Sequence, residues 1–222
     1  ILTGFALVAA LAAVGPAAAA DDGQGKAVPF RRGVNLSNWM SDSQRQPLQD
    51  GDFAQIKAAG FDHVRVPVNP EFLGFSLNEA ATGRVLFDFR PVDEAIGLAM
   101  ANGLKVILDI QPSEGFLDQV EQDARSEAGF IELWRRVADH FKLDPPDALA
   151  FEILNAPKYQ DDVQRYSDLM GEIVAALRPI IPKHTLIVDA PRGDSIEGLE
   201  AMTPLRDPNV LYAFHFYEPV VF

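Results

Sequence analysis

Residues 104–110 read Leu-Lys-Val-Ile-Leu-Asp-Ile and are apolar at all but two positions. A strand with one wet face alternates, whereas a near-continuous apolar run belongs to a parallel strand covered on both faces. Residues 148–154 form a second such run, which stops at Asn155, Ala156 and Pro157. Proline cannot continue a central strand, so this strand ends at Asn155 and Ala156. Parallel strands need long crossovers between them, so the segments between these runs are expected to be helical.

The rest of the chain follows that rule. A short first strand is expected at 33–37, ending near Asn38 and Trp39. A helix at 53–59 carries Phe53 and Ile56 at helical spacing and stops at Gly60. Residues 62–68 alternate and are β-branched, which predicts a second strand. After a long connection over 69–90, a helix at 91–101 begins with Pro91 in its first turn. The third strand is 104–110, with 111–115 as its loop. A helix at 127–141 presents Phe130, Leu133, Trp134, Val137 and Phe141 on one face. Strand four, a helix at 162–177, strand five at 185–189, a weak helix at 194–202 and strand six at 209–216 complete the order. Strict β/α alternation predicts one parallel sheet. Its two architectures are a (β/α)8 TIM barrel, of which about six βα units are present, and a doubly wound six-stranded sheet. No Gly-rich phosphate turn follows the first strand to support the second.

Residues 1–20 stand apart. An apolar stretch followed by small residues ending in Ala20 predicts a secretory signal, with a membrane anchor as the alternative. Residues 21–30 are expected to be a flexible leader, and 31–222 the barrel domain. The expected location is therefore secreted or periplasmic, with no membrane attachment after cleavage. The 222-residue chain has a net charge of −13, and such a surface repels nucleic acid. It has no cysteine, which excludes disulfides, thiolate catalysis and Cys-ligated zinc. No His-rich or Asp-rich spacing predicts a metal site, and no cofactor is expected.

Five segments in order carry a resemblance. They are residues 32–39 with Gly33, Val34, Asn35, Leu36 and Trp39; residues 60–68 around Arg65; residues 103–109; residues 151–157; and His215-Phe216-Tyr217. Together they resemble successive strands of glycoside hydrolase family 5, the cellulase family of retaining β-glycosidases. The resemblance implies a TIM barrel, monomeric when complete, acting on an oligo- or polysaccharide. It implies that Arg65 lies beneath the catalytic carboxylates, that Asn155 contacts a sugar 2-hydroxyl, and that His215 and Tyr217 form a site pair. It also suggests Asn35, Gln111 and Trp39 as sugar contacts.

On the residues alone, Arg65 admits two readings. It either holds a catalytic nucleophile ionised or belongs to a structural ion pair. Trp39 is equally a stacking platform or a packing residue. His215 and Tyr217, two apart, are expected to share a strand face.

The departures are as specific as the matches. The resemblance places the general acid/base Glu at Ala156, and a methyl group transfers no proton. It places the nucleophile on a seventh strand, beyond residue 222. Where the family usually has His after strand three, this chain has Gln111. Glu152 lies about 13 Å back along its strand from Ala156 at about 3.3 Å per residue, too deep to reach a sugar. Glu114 and Glu218 are loop carboxylates at the correct end. Two functions follow as expectations: a secreted endo-β-glucanase-like hydrolase impaired at Ala156, or a catalytically inactive carbohydrate-binding relative.

Overall fold

The computed structural model describes residues 30–40, 48–80, 82 and 86–217. The expected signal, most of the leader and Glu218 lie outside the described residues. Six strands form one sheet: β1 (Gly33–Asn35), β2 (His63–Val68), β3 (Lys105–Ile110), β4 (Leu149–Glu152), β5 (Leu186–Asp189) and β6 (Val210–Ala213). Their spatial order is their chain order, and every neighbouring pair is parallel. A doubly wound sheet reverses its strand order at a switch point. This sheet never does, so it is a six-unit half-barrel and the alternative architecture is excluded.

The helices are α1 (Asp50–Ala58), α2 (Leu77–Ala80), α3 (Arg90–Ala101), α4 (Glu114–Gln122), α5 (Ala124–Phe141) and α6 (Val163–Leu177), followed by a short helix, Ile196–Ala201. Helices α1, α3, α5 and α6 coincide with expected helices to within a few residues. Helix α4 was not expected. Ser113 caps it by accepting from the Phe116 N–H, and Phe116, Leu117 and Val120 are its buried side. Asp123 then accepts from the Arg125 and Ser126 N–H groups and starts α5 one residue after α4 ends. That abrupt restart hides the boundary in the sequence. Strand β6 is shorter than expected and stops at Ala213.

The main core lies between the sheet and the helices. Trp134 of α5 is fully buried there, and its indole N–H donates to the Ile153 carbonyl at 3.0 Å, which fixes α5 against the end of β4. A second, smaller apolar cluster of Ile107, Ala150 and Ile187 sits on the opposite face of the sheet, with Phe30, Leu211 and Ala213 against it. At the N-terminal ends of β5 and β6, Arg178 grips Asp207 with two nitrogens and also donates to the carbonyls of Ile181, His184 and Asn209. This brace sits at the opposite strand ends from the polar cluster described next.

Candidate active site

The C-terminal ends of the strands carry the polar residues. Asn35 ends β1 and Arg65 pairs with it in register on β2. Asp109 of β3 pairs with Glu152 of β4. Arg65 binds them all. Its Nε donates to Glu152 Oε1 and Oε2 at 3.1 and 2.9 Å, and one terminal nitrogen donates to Glu152 Oε1 at 2.6 Å. The same nitrogen donates to Asn155 Oδ1 at 2.9 Å, and the other donates to Asn35 Oδ1 at 3.1 Å. Asp109 Oδ2 lies 3.0 Å away as an ion-pair partner.

The structural ion pair that the sequence left open for Arg65 is therefore present. Glu152, set aside as too deep to reach a sugar, is its main partner. Deep in the sheet is where a charge must be paired, because an isolated buried ion is costly. Burial by itself lowers the Arg65 pKa, but the hydrogen-bonded Glu152 and the charge of Asp109 more than offset this and hold it above its ordinary value.

Three further carboxyls, of Asp109, Asp189 and Asp194, are fully buried here. Burial pushes Asp109 well above the usual carboxylate range. The charge of Glu152 adds to this, and Arg65 only partly opposes it. Asp189, at the end of β5, is raised by burial and by Glu152, Asp194 and Asp109.

A pH test follows for Asp109. Its native pKa lies above its unfolded value of about 3.9. The native state thus binds more protons, so this contribution to stability is complete below about pH 4 and is lost as pH rises toward the native pKa. Urea midpoints measured from pH 4 upward are expected to fall through this group. Asp109→Asn, which keeps an acceptor for Arg65, is expected to flatten that slope. An unchanged slope in the variant would mean that Asp109 is ionised throughout.

Ala156 follows directly on this cluster. Its φ is 50°, a left-handed conformation costly for any residue with a Cβ. Its N–H donates to Asp194 Oδ2 at 3.1 Å. Asp194 sits in a turn in which Arg192, Gly193 and Asp194 all have positive φ, of 61°, 68° and 62°. The Arg192 and Gly193 N–H groups donate to the carbonyls of Lys158 and Pro157, which ties this turn to the loop after β4. Backbone strain of this kind persists only where surrounding contacts enforce it, and it clusters at functional sites.

His215 lies just beyond β6, not on it. Its Nδ1 is 2.9 Å from Asp194 Oδ2, and its N–H donates to the Asp194 carbonyl at 2.9 Å. Tyr217 is also past the strand and is exposed. Its ring meets His215 edge-on at a centroid distance of 5.7 Å. The two residues are thus neighbours, His215 held by Asp194 and Tyr217 resting on His215, without the shared strand face that was expected.

Trp39 is buried, and its indole N–H donates to the Pro67 carbonyl at 2.6 Å. Its rim lines a surface cavity of about 260 Å³ with Asn38, Met40, Asn69, Phe72 and Gln111. Gln111 is exposed there, and Phe72 is 49% exposed. Glu114, weighed above as a loop carboxylate, is the first residue of α4.

The sequence reading named no metal site. The fold nevertheless brings Asp189, Asp194 and His215 together, with one ligand atom from each within 4.8 Å of the others. Spacings of five and twenty-one residues match no metal motif, so only the turn after β5 and the adjacency of β5 and β6 create the group.

A parallel, sequentially ordered α/β half-barrel with its polar cluster at the C-terminal strand ends is the architecture of the TIM-barrel class. The model of the family described as Cellulase (glycosyl hydrolase family 5) matches residues 21–222. The chain belongs to that family. It is 27% identical to cellodextrinase A of Ruminococcus flavefaciens over 86% of this chain and 59% of that protein. It is 26% identical to endoglucanase C of Acetivibrio thermocellus over 88% of this chain and 60% of that protein. Among solved structures, Thermotoga maritima Cel5A in a mutant form with cellobiose superposes with a TM-score of 0.76 at 30% identity, covering 86% of this chain and 65% of that one. The same enzyme with mannotriose gives 0.76 at 29%, covering 86% and 62%. The chain spans about 60% of the length of the curated relatives it matches. No helix among the described residues is long and apolar enough to cross a membrane.

Proposed function

We propose that the protein is a secreted glycoside hydrolase directed at a β-linked polysaccharide, endo-β-glucanase-like, and that the chain with Ala156 recognises sugar but lacks the acid/base of a retaining mechanism. The observation that carries this reading is the cluster joining Asn35, Arg65, Glu152 and Asn155. Arg65 takes the carbonyl oxygen of both Asn side chains, which fixes the orientation of each amide and turns its NH2 donors away from the guanidinium. On this reading the Asn155 donors, and the Asn35 hydrogen not given to Ser37 Oγ at 3.1 Å, are the contacts for sugar hydroxyls at the end of the sheet. Gln111 and the rim of Trp39 extend the polar surface along the β2–β3 side. His215 shares Asp194 Oδ2 with the Ala156 N–H, and Tyr217 packs on His215.

Family relatives bear names of enzymes acting on cellulose fragments and glucans, and the Thermotoga enzyme has been captured with cellobiose and mannotriose. These support β-linked glucan or mannan as the substrate class. The Ala156 substitution also favours a second reading, a binding relative without turnover.

Affinity electrophoresis of the full-length protein in gels containing soluble β-glucan or mannan tests recognition without requiring turnover. Saturable retardation by one of these is expected. Asn155→Ala is expected to weaken it by about fivefold, because a lost hydrogen bond is worth about 1 kcal/mol. Mobility unaffected by either polysaccharide would overturn both readings.

A further inference from the structure

We propose that Asp189, Asp194 and His215 form a binding site for a divalent transition-metal cation at the corner between β5 and β6. The three residues each present a ligand atom within 4.8 Å of the others. The two aspartates are fully buried. No N–H or hydroxyl donor among the described residues reaches either carboxylate oxygen of Asp189 or Oδ1 of Asp194, and the neighbour of Asp189 is another carboxyl, Glu152. Buried carboxylate oxygens are ordinarily satisfied by donors, by pairing or by a metal. The positive charge in reach does not balance the site. Were all four ionised, Asp109, Glu152 and Asp189 of the sheet and Asp194 of the turn after β5 would face only Arg65 and His215.

The local geometry is built to hold the ligands. Asp189 is the last residue of β5, and the Tyr166 hydroxyl donates to its backbone carbonyl at 2.8 Å. Asp194 is aimed inward by its left-handed turn, which is pinned to Pro157 and Lys158. The Ala156 N–H already holds Asp194 Oδ2, the kind of outer contact that orients a metal ligand. The His215 side chain, 29% exposed, forms the open side through which an ion enters.

Metal–oxygen and metal–nitrogen bonds of about 2.0–2.2 Å place opposing ligands at most about 4.4 Å apart. Binding with the outermost pair trans therefore draws it in by a few tenths of an ångström, whereas a tetrahedral ion, whose ligand atoms lie about 3.3–3.6 Å apart, draws it in by up to about 1.5 Å, within reach of a side-chain rotation. The donor set also narrows the ion. One imidazole with two carboxylates suits Zn²⁺ or Mn²⁺, whereas Ca²⁺ and Mg²⁺ take oxygen alone and Cu(I) prefers sulfur. The site rests on the β5–β6 corner and not on the glycosidase reading, although an occupied site would hold His215 away from the sugar cleft.

The test uses full-length protein stripped with a chelator, without any sugar. Zn²⁺ titrated by calorimetry, with Mn²⁺ in parallel, is expected to bind at one equivalent with a dissociation constant in the micromolar range or tighter. Zn²⁺ is also expected to raise the melting temperature. Asp189→Asn removes a ligand charge while keeping a group that can hydrogen-bond Glu152, and should weaken binding by at least tenfold. His215→Ala, on the open side, carries the same expectation should the buried variant fail to fold. The exposed Glu200→Gln should bind like the parent. No saturable binding of either ion up to about 1 mM, or binding unchanged in the folded Asp189 or His215 variant, overturns the proposal. In that case the three groups are a buried His–Asp pair beside a protonated carboxyl.

Discussion

Ala156→Glu in the full-length protein is expected to raise release of reducing sugar from a soluble β-glucan by about 10²–10⁴-fold, the usual worth of a placed general acid/base. The position suits the role. It lies four residues past the C-terminal end of β4, directly after Asn155, whose side chain Arg65 fixes. Its backbone N–H is anchored on Asp194. Its left-handed φ of 50° is a cost Ala156 already carries, so Glu adds little further strain. In a retaining mechanism this carboxyl protonates the leaving oxygen and then activates water, while a second carboxylate about 5–5.5 Å away attacks the sugar. The gain should therefore depend on the leaving group. Unactivated glucan needs the acid, while an aryl glycoside with a good leaving group forms its intermediate without it. Azide, which needs no base, should speed breakdown of that intermediate in the Ala156 protein and give a glycosyl azide. No gain on any β-linked substrate after Ala156→Glu would favour the binding relative over the hydrolase.

Arg65→Met is expected to cost about 3–5 kcal/mol of stability, the scale seen when one member of a buried ion pair is removed. The Arg65 side chain is 18% exposed and that of Glu152 5%, so neither charge is well hydrated once separated. The variant leaves Glu152 and Asp109 adjacent and without their cation, and it releases the side chains of Asn35 and Asn155. Arg65→Lys should recover only part of the loss, because a point charge cannot replace two nitrogens on one carboxylate and two more contacts to Asn oxygens. Adding Glu152→Gln to Arg65→Met should restore part of the stability by removing the orphaned charge. Urea unfolding at pH 7 measures all three. A loss below about 1 kcal/mol in Arg65→Met would mean the pair is solvated like a surface bridge.

Much of the fold was legible from pattern. The apolar runs at β3 and β4 announced parallel strands covered on both faces, and Trp134 and its neighbours announced the buried face of α5. Helix α4 was not legible, because its buried residues are few and it meets α5 at a single cap, Asp123. The residue types of the site were partly legible. Arg65 stood out as a charge in a strand of valines, but its partner did not. Glu152 was judged by its distance along its own strand, whereas its hydrogen bonds run across the sheet to β2. Trp39 left packing and stacking equally open, and the short bond to Pro67 resolves its buried edge.

The sequence by itself determined the alternation of strand and helix, the parallel sheet and the family. These follow from local periodicity and from how much of each strand avoids water, both of which are written in consecutive residues. Tertiary structure decided which polar groups meet. Arg65 and Glu152 are 87 residues apart, and Asp194 meets Ala156 across 38. Such pairs depend on strand register and on left-handed turns that aim a side chain back into the sheet. The chemistry of the site was therefore fixed by the alignment of neighbouring strand ends, a property of the assembled sheet that no single segment carries.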